Sequence, residues 1–394
     1  MFIDAMGFGL IFPVAPQLIM ELTGTDLTAA APIAGYLMVA YAIMQFLFAP
    51  VVGALSDRFG RRPVLLASMA ALTIDYLLMS ASPTIVWLFA GRLISGIAGA
   101  TYPTANAVIS DLHPPDQRTR FFGLIGAAWG IGFIAGPAIG GLLSGFSTRM
   151  PFYVAAGLAF SNFLLGLMVF PETLRQDLRR PLAVARINLV GAIRDLRKYP
   201  GLILLLAVTF LYQIGHDALP STWAFFSMSQ FSWNAQQVGL SLAAIGLSSA
   251  IVQGLMIGPI VQRIGESNAT RVGFAAGVVS LAGYAFASND WTIYCLIGIG
   301  AFFGLAMPAM QSMMTRCVPA NAQGELQGAI AGLQSASAVI APLVMTQLFS
   351  WATRPAAGQG FPGAPMLLGA AILACAWLLF AVAMRRLQTD APGN

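Results

Sequence analysis

The chain has 394 residues, of which 58% are hydrophobic and only 9% are charged. Soluble domains carry about 25% charged residues, and a soluble core of this length cannot cover so much apolar surface. The composition therefore excludes a soluble globular protein and indicates a membrane protein. The net charge of +5 would in a soluble protein suggest a nucleic-acid partner, so the placement of the basic residues has to decide what it means.

Apolar runs of about 20 residues, long enough to cross ~30 Å of hydrocarbon, recur along the whole chain. This pattern predicts an all-α membrane protein with twelve transmembrane helices. The Arg-rich stretch 171–200 separates two groups of six, so we expect an N-terminal bundle at 1–170, a cytoplasmic linker at 171–200 and a C-terminal bundle at 201–394. The predicted spans cover residues 2–20, 32–52, 63–81, 85–105, 121–144, 151–170, 201–223, 237–259, 272–288, 291–313, 327–350 and 365–384.

Basic residues are concentrated on one side of the predicted spans. Seventeen of the twenty lysines and arginines fall in the predicted cytoplasmic loops and tails, whereas Arg149 and Arg354 fall outside and Arg92 lies within a span. Cytoplasmic loops are enriched in Lys and Arg, so we expect a multi-pass protein with both termini in the cytoplasm and no nucleic-acid partner. Three scattered cysteines without CxxC spacing predict no metal site.

The segment GALSDRFGRR lies between the second and third spans, and a weaker copy, GPIVQRIGES, lies between the eighth and ninth. Parallel repeats of six spans, with substrate bound at the midplane, occur in one class of secondary transporters. The copy therefore predicts two six-helix bundles related by pseudo-two-fold symmetry. The matching residues, each displaced by 205 positions, are Gly53 with Gly258, Arg58 with Arg263, and Gly60 with Gly265.

Several segments resemble the major facilitator superfamily, and in particular its tetracycline/proton antiporter subfamily. In chain order they are LMVAYAIMQFLFAPVVG, GALSDRFGRRPVLLAS, ALTIDYLLM, FAGRLISGIAGAT, GFIAGPAIGGLL, WNAQQVGLSLAAIG and QGELQGAIAGL. The resemblance implies a monomeric transporter of the bacterial inner membrane, not an enzyme. It would export a hydrophobic or amphipathic small molecule, a tetracycline-like drug or another antibiotic, in exchange for protons. It implies no cofactor, although a tetracycline would carry its own magnesium ion.

In the family, the acid of the GALSDRFGRR-like segment caps the start of the eleventh helix, a favourable place for negative charge, and pairs with a basic residue one turn on. Carried over, Asp57 would pair with Arg61, and Asp111 would complete a cytoplasmic gate. The glycines would allow a sharp turn and close packing. A purely topological role would explain the arginines but not the acid or the glycines. The expected gate residues are Gly53, Asp57, Arg58, Gly60, Arg61, Arg62 and Asp111.

The fifth predicted span carries a face of small residues, Gly132, Gly136, Pro137, Gly140 and Gly141. Small residues allow helix backbones to approach closely in a membrane, and proline kinks a helix. The GPxxGG pattern resembles one that marks antiporters of the family, in which the fifth helix packs on the eighth and seals the protein against leak. Ordinary small-residue packing is the alternative.

Ionisable residues within the predicted spans are few, and each costs about 2.5 to 3.5 kcal/mol at the bilayer centre. Asp4, Asp75 and Arg92 lie in the first half, and His216 and Asp217 lie in the second. The first three match family positions, which implies that an acid binds the coupling proton and that Arg92 displaces it. Asp217 is the remaining candidate for proton coupling. The alternatives are a structural buried pair for Arg92, and a place at the outer end of the seventh span for His216 and Asp217.

Neutral polar and aromatic residues in the spans predict a substrate cavity, because an amide in hydrocarbon needs a partner on another helix or on the substrate. Two serines depart from the resemblance. Tetracycline carriers have an acid at the position of Ser280 and a histidine at that of Ser249. This protein therefore lacks the acid that would recognise a metal-chelated tetracycline. Asp217 is the candidate to supply the missing charge. The expected cavity residues are Gln45, Gln213, His216, Gln253, Ser249, Ser280, Gln311, Phe210 and Tyr212.

Two other functions stay open from the sequence alone. A proton-coupled uptake symporter of the same fold would not need antiporter packing in the fifth span. A non-transporting membrane receptor or membrane enzyme has little support, because the sequence shows no metal cluster and no nucleophile with a paired base, and His113 and His216 lie far apart. The sequence contains no GxxxxGK[ST] nucleotide loop;, so we expect the proton gradient to supply the energy.

Overall fold

The computed structural model describes residues 2–99, 102–179, 196, 199, 201–319, 322–354 and 360–389. These residues form helices joined by short turns, and no strand occurs among them. Most of the predicted linker, residues 180–195 with 197, 198 and 200, lies outside the described residues. The fold is all-α, as the sequence predicts.

Six spans make up the first half of the chain. The first consists of two helices, Phe2–Ile11 and Ala15–Thr23, bent by 49° at the break between them. The fourth is described as two helices on either side of residues 100–101, and a short 3₁₀ turn at Gln176–Leu178 follows the sixth. The second to sixth spans are Leu27–Phe59, Arg61–Ser80, Ile85–Ala98 with Tyr102–Leu112, Pro115–Leu143 and Met150–Val169.

Six more spans follow in the second half. The seventh consists of Leu202–His216 and Ala218–Phe231. Ala235–Ile251 continues through a π turn, Val252–Met256, into Ile257–Phe286, and together they hold the eighth and ninth spans. The tenth to twelfth spans are Asp290–Gly300 with the 3₁₀ turn Ala301–Leu305 and Ala306–Arg316, then Gln323–Ala352, then Ala364–Thr389.

The number of spans follows from the lengths of the helices and from the break in the longest helical stretch. In the described part of the chain, nine helical stretches are long and apolar enough to cross a membrane, and the bent pair at the start makes a tenth. Ala235–Phe286 is one of the nine, but its backbone leaves the helical conformation at Gly265, so it contains two spans. The fourth span, which contains the shorter apolar helix Ile85–Ala98, completes the twelve.

The chain divides into two compact units. The N-terminal unit contains Met1–Ile187 and Trp233–Ala243, and the C-terminal unit contains Asn188–Ser232 and Ala244–Asn394. In the N-terminal unit the first span packs on the fifth and sixth, and the third packs on the fourth and sixth. In the C-terminal unit the twelfth span packs on the seventh and ninth. The start of the eighth span therefore belongs with the first half of the chain.

The GALSDRFGRR segment is helical, not an extended loop. The helix of the second span continues to Phe59, and only Gly60 separates it from the helix of the third span, which begins at Arg61. A helix of 33 residues, with a rise of about 1.5 Å per residue, is longer than the hydrocarbon core, so its charged end still reaches the membrane surface. Gly53 lies inside this helix with no atom within 4 Å of an added Cβ, so the close packing that we expected there does not occur.

The two related joints share one backbone conformation. Gly60 has φ 107° and ψ 162°, and Gly265 has φ 79° and ψ 161°. A positive φ of this kind is open mainly to glycine. The match between GALSDRFGRR and GPIVQRIGES is therefore a match of structure as well as of sequence.

We predict that Gly60→Ala destabilises the protein more than Gly265→Ala. Both substitutions force alanine into a positive-φ conformation, which costs about 1 to 3 kcal/mol. An added Cβ at Gly60 would also meet the carboxyl group of Glu172, whereas the space at Gly265 is open. Thermal unfolding of the purified proteins in detergent measures the difference, with the helical Gly157→Ala in open space as control. An equal loss at the two joints would contradict the prediction.

Candidate functional site

The charged residues expected at the cytoplasmic gate meet around one arginine. Arg61 Nη1 donates to Asp57 Oδ1 at 2.5 Å, and Arg61 Nε donates to Asp111 Oδ2 at 3.1 Å. Arg61 Nη1 also donates to Ser56 Oγ at 2.7 Å. The Arg61 side chain is only 9% exposed, so two carboxylates compensate a nearly buried cation. The structure brings these residues together, and their role in gating stays a prediction.

A further acid of this cluster, Glu172, was missed by the sequence analysis. Its Oε1 accepts the backbone N–H of Arg61 at 2.8 Å, and its Oε2 accepts that of Arg62 at 3.3 Å. The first N–H groups of a helix have no partner within the helix and form its positive end. Glu172 therefore caps the third span from the end of the sixth. The available signal was an acid placed directly after a span.

The two other arginines of the segment make separate contacts. Arg62 Nη2 donates to the backbone carbonyl of Leu167 in the sixth span at 2.7 Å. Arg58 is exposed, with its guanidinium carbon 5.2 Å from the centre of the Phe59 ring. Arg62 therefore joins the third span to the sixth, whereas Arg58 contacts its neighbour along the chain.

The joint at Gly265 carries an ion pair of opposite polarity. Arg316 Nη2 donates to Glu266 Oε1, and Ser312 Oγ donates to the same oxygen at 2.8 Å. Glu266 and Arg316 stand 205 residues after Arg61 and Asp111, respectively. The arginine and the acid have thus exchanged places between the halves. The sequence repeat aligned the glycines but missed this pair, because opposite charges do not register as a match.

The small-residue face of the fifth span packs mainly on the first span. A Cβ added at Gly132, Gly136 or Gly140 would overlap backbone atoms of the first helix. Gly9 in the first span is complementary, because its own Cβ would lie 2.8 Å from the ring of Pro137. The expectation that this whole face packs on the eighth span is corrected for these three glycines.

Gly141 and Pro137 make the contact with the eighth span. A Cβ added at Gly141 would lie 2.8 Å from the carbonyl oxygen of Ala235, and one added at Gly239 would overlap the carbonyl oxygen of Pro137. Helix geometry explains the division, because residues four apart share a face while each next residue is turned by about 100°. This contact lies within the N-terminal unit, to which the start of the eighth span belongs.

We predict that Gly136→Ala lowers stability by about 1 to 3 kcal/mol, the usual cost of overpacking, and that Gly126→Ala on the same helix does not. The methyl group at position 136 would clash with the first span, whereas nothing lies within 4 Å of one at position 126. Thermal unfolding of both variants in the same detergent is the measurement. Unfolding of both at the wild-type temperature would mean that the close approach is not required.

A buried ion pair joins the third and fourth spans. The side chains of Asp75 and Arg92 are 0% and 11% exposed, and Arg92 Nη2 donates to Asp75 Oδ2 at 2.8 Å. The same nitrogen lies 2.9 Å from the sulfur of Met79, and the guanidinium carbon lies 5.9 Å from the centre of the Tyr41 ring. A carboxylate inside a membrane bundle can be neutralised by this arginine or by a proton, and the geometry allows either.

A cavity of about 310 Å³ opens beside this pair in the N-terminal unit. Gln45 Nε2, in its wall, donates to Tyr41 Oη and to the carbonyl of Gly99, each at 3.3 Å. Asp4 accepts a hydrogen bond from Asn162 Nδ2 at 3.0 Å and lines this cavity and a second one of about 390 Å³. The polar lining of the first cavity includes Asp4, Tyr41, Gln45, Asp75, Tyr76 and Arg92.

The C-terminal unit contains a cavity of about 350 Å³. Phe210 and Gln213 were expected in it but are not among its lining residues, because residues four apart on the seventh span share a face and these two lie off the face of Tyr212 and His216. Tyr284 and Phe303 line it and were not expected. The expected residues that do line it are Tyr212, His216, Ser249, Gln253, Ser280 and Gln311.

Two irregular turns supply part of the wall of this cavity. Gln253 lies in the π turn Val252–Met256, and Phe303 lies in the 3₁₀ turn Ala301–Leu305. Such turns redirect side chains from the face that a regular helix would give them, and they are frequent at functional sites. A Cβ added at Gly304 would lie 2.8 Å from Gln253 Nε2, so this glycine makes room for the amide.

His216 and Asp217 interact beside the same cavity. His216 Nδ1 lies 3.2 Å from Asp217 Oδ1, and Ser337 Oγ of the eleventh span donates to Asp217 Oδ2 at 2.9 Å. The imidazole stacks with the ring of Tyr212 at a centroid distance of 6.1 Å and an angle of 14°. Helix resumes directly after Asp217 and continues to Phe231. The alternative that placed these two residues at the outer end of the seventh span is therefore wrong.

The whole chain has relatives of the expected kind. Residues 1–342 match the Major Facilitator Superfamily. The chain belongs to this family. The class C tetracycline resistance protein of Escherichia coli is 39% identical over 98% of this chain and 94% of its own length. The class G protein of Vibrio anguillarum is 40% identical over 88% of each chain.

Solved structures agree on the fold. The nucleoside transporter NupG superposes with a TM-score of 0.73 at 15% identity, covering 98% of this chain and 97% of its own. An identity this low supports the fold alone. The sequence relatives, in turn, identify a multi-pass membrane transporter of the tetracycline-resistance subfamily, and not an enzyme.

Proposed function

We propose that this protein exports a hydrophobic or amphipathic small molecule across the bacterial inner membrane in exchange for protons. A tetracycline-like drug is the first candidate substrate, because the relatives that match nearly the whole chain are named tetracycline resistance proteins. The observation that carries the proposal is the buried pair of Asp75 and Arg92 beside a cavity. A membrane-embedded carboxylate held by a single arginine can exchange that arginine for a proton.

In this proposal, coupling follows from competition between a proton and Arg92 for the carboxyl group of Asp75. A proton on Asp75 removes the charge that pairs with Arg92, and the released guanidinium changes the electrostatics of the cavity that the substrate enters. Asp4 is the second acid of the cavity, and Asp217 is the candidate acid of the C-terminal unit. One proton moving down 100 mV and one pH unit supplies about 3.7 kcal/mol, which supports a concentration ratio of roughly 500 for a neutral substrate.

The cavity of the C-terminal unit sets the choice of substrate in this proposal. Tyrosines, amides, serines and His216 provide its polar groups, and no carboxylate appears among its lining residues in the described part of the chain. Magnesium would enter only on the substrate, and the protein would use no cofactor of its own. Asp217, oriented by Ser337, would compensate the charge that Ser280 does not provide.

The proposal includes the orientation of the protein in the membrane and its oligomeric state. Both termini would lie in the cytoplasm, because the basic residues cluster in loops on that side. The cluster around Arg61 would then lie on the cytoplasmic side and close it in one state of the transport cycle. The protein would work as a monomer in the bilayer.

We predict that Asp75→Asn strongly reduces proton release driven by substrate binding. Asparagine keeps the shape of the side chain but cannot take up the proton. Proteoliposomes containing the purified protein and a pH-sensitive dye report the release, which we expect to fall at least about tenfold, within the range for loss of a proton-transfer group. Asp177→Asn, at an exposed acid, is the control. Proton release at the wild-type level would exclude Asp75 as the carrier.

We predict that Ser280→Asp makes stabilisation by tetracycline depend on magnesium. A carboxylate in the wall of the cavity would offset the positive charge of a metal chelate, which a serine does not. The measurement is the thermal shift of purified protein with tetracycline, with and without magnesium. Ser280→Asn is the neutral control of the same size. Equal magnesium dependence in the two variants would mean that the charge at this position does not affect binding of the metal chelate.

A further inference from the structure

The two oxygens of the Asp75 carboxyl group have different surroundings. Its Oδ2 accepts the hydrogen bond from Arg92, whereas its Oδ1 is buried and has no hydrogen-bond partner among the described residues. An unsatisfied buried carboxylate oxygen is costly, so a structure that retains one needs a reason. A bound proton would lower this cost by removing the charge, because a neutral carboxyl group is easier to bury than a carboxylate.

Gly91 of the fourth span provides the space for this oxygen. A Cβ added at Gly91 would overlap Asp75 Oδ1 and lie 3.3 Å from Met79 Cγ. The three atoms nearest to that Cβ all belong to these two side chains of the third span. Gly91 lies inside the regular helix Ile85–Ala98 and has no positive φ. The carboxyl group, and not the backbone conformation, therefore requires glycine here.

A second glycine of the same helix gives a contrast. A Cβ added at Gly96 would meet the backbone oxygen of Tyr41 and lie 2.6 Å from Met44 Cβ, both in the second span. Gly96 therefore serves the packing of two helices. Gly91 instead serves one ionisable side chain.

We propose that Gly91 is a positioning residue for proton binding at Asp75. This inference rests on the proposed role of Asp75 as the proton carrier. The absent side chain lets Oδ1 approach the fourth helix, which keeps Oδ2 on Arg92 when the carboxylate is charged. When a proton arrives from the aqueous phase, it adds to a lone pair of Oδ1 and forms one O–H bond, and the neutral acid no longer holds the guanidinium.

Other titratable and charged groups surround the carboxyl group. Asp4 on the first span, Tyr41 on the second, Tyr76 on the third itself and Arg92 on the fourth line the same cavity. The sixth span, which packs on the third, contributes the uncharged Asn162, which binds Asp4. A methyl group at Gly91 touches none of these groups first, so its effect on proton binding passes through Asp75.

The experiment compares Gly91→Ala with two matched substitutions in the full-length protein reconstituted in proteoliposomes. Substrate-driven proton release is measured as a function of pH. In Gly91→Ala the carboxyl group is pushed away from Arg92, and loss of a neighbouring cation favours the protonated form. We expect the midpoint of proton release to move to higher pH by about one unit. Gly96→Ala, with a comparable clash against the second span and not against Asp75, and Gly157→Ala, in open space, should keep the wild-type midpoint.

The outcomes separate this inference from the proposed function. Loss of proton release in Asp75→Asn together with an unchanged midpoint in Gly91→Ala would overturn the role of Gly91 alone. Wild-type release in Asp75→Asn would overturn the proposed carrier, and the role of Gly91 with it. A shift of equal size in Gly96→Ala would assign the effect to helix packing and would also overturn the inference.

Thermal unfolding keeps the inference testable where Gly91→Ala is too unstable to transport. If the clash is with the carboxyl group, removing that group relieves it. We expect Gly91→Ala to lower the melting temperature in the wild-type background and to have little effect in an Asp75→Ala background, which is the coupling that a double-mutant cycle detects. The same loss of melting temperature in both backgrounds would overturn the proposal.

Discussion

The ion pair between Asp75 and Arg92 constrains much of the N-terminal unit. Either charge alone costs about 2.5 to 3.5 kcal/mol at the centre of a bilayer, and breaking a buried pair leaves the remaining charge uncompensated. The pair therefore helps to keep the third and fourth spans together, and the two spans pack on each other. Gly91 lets the carboxyl group approach, and the thioether of Met79 lies against the guanidinium. Structural and functional demands act here on the same few atoms.

The helix ends of the same unit follow a different rule, because they reach water. Arg61 is nearly buried there with two carboxylates and a serine, and Glu172 holds the first N–H groups of the third span. This arrangement needs the single residue Gly60 between two long helices. A longer loop would have separated the charges that now compensate each other. The short joint and the charge cluster thus require each other.

Much of the fold could be predicted from the sequence, since crossing a bilayer demands about 20 apolar residues per helix. The pairing of Asp57, Arg61 and Asp111 was also accessible, through resemblance to a family. Residues whose role depends on where the fold places them could not be predicted. Glu172 caps a helix far away in sequence, and Gln253 faces the cavity because of a π turn. Phe210 and Gln213 were placed by residue type, whereas the rotation of the helix decides which side chains reach a cavity.

The exchanged charges at the two joints have a consequence for the history of the chain. Arg61 with Asp111 and Glu266 with Arg316 occupy corresponding places, and Gly60 and Gly265 share a backbone conformation. Suppose that one half arose by duplication of the other. Exchanging the arginine and the acid of a pair takes two substitutions, and the first of them would place two like charges side by side. The ion pair itself is therefore unlike a feature copied from one half to the other. On that premise, the shape of the joint is common to both halves by descent, and each half acquired its ion pair separately.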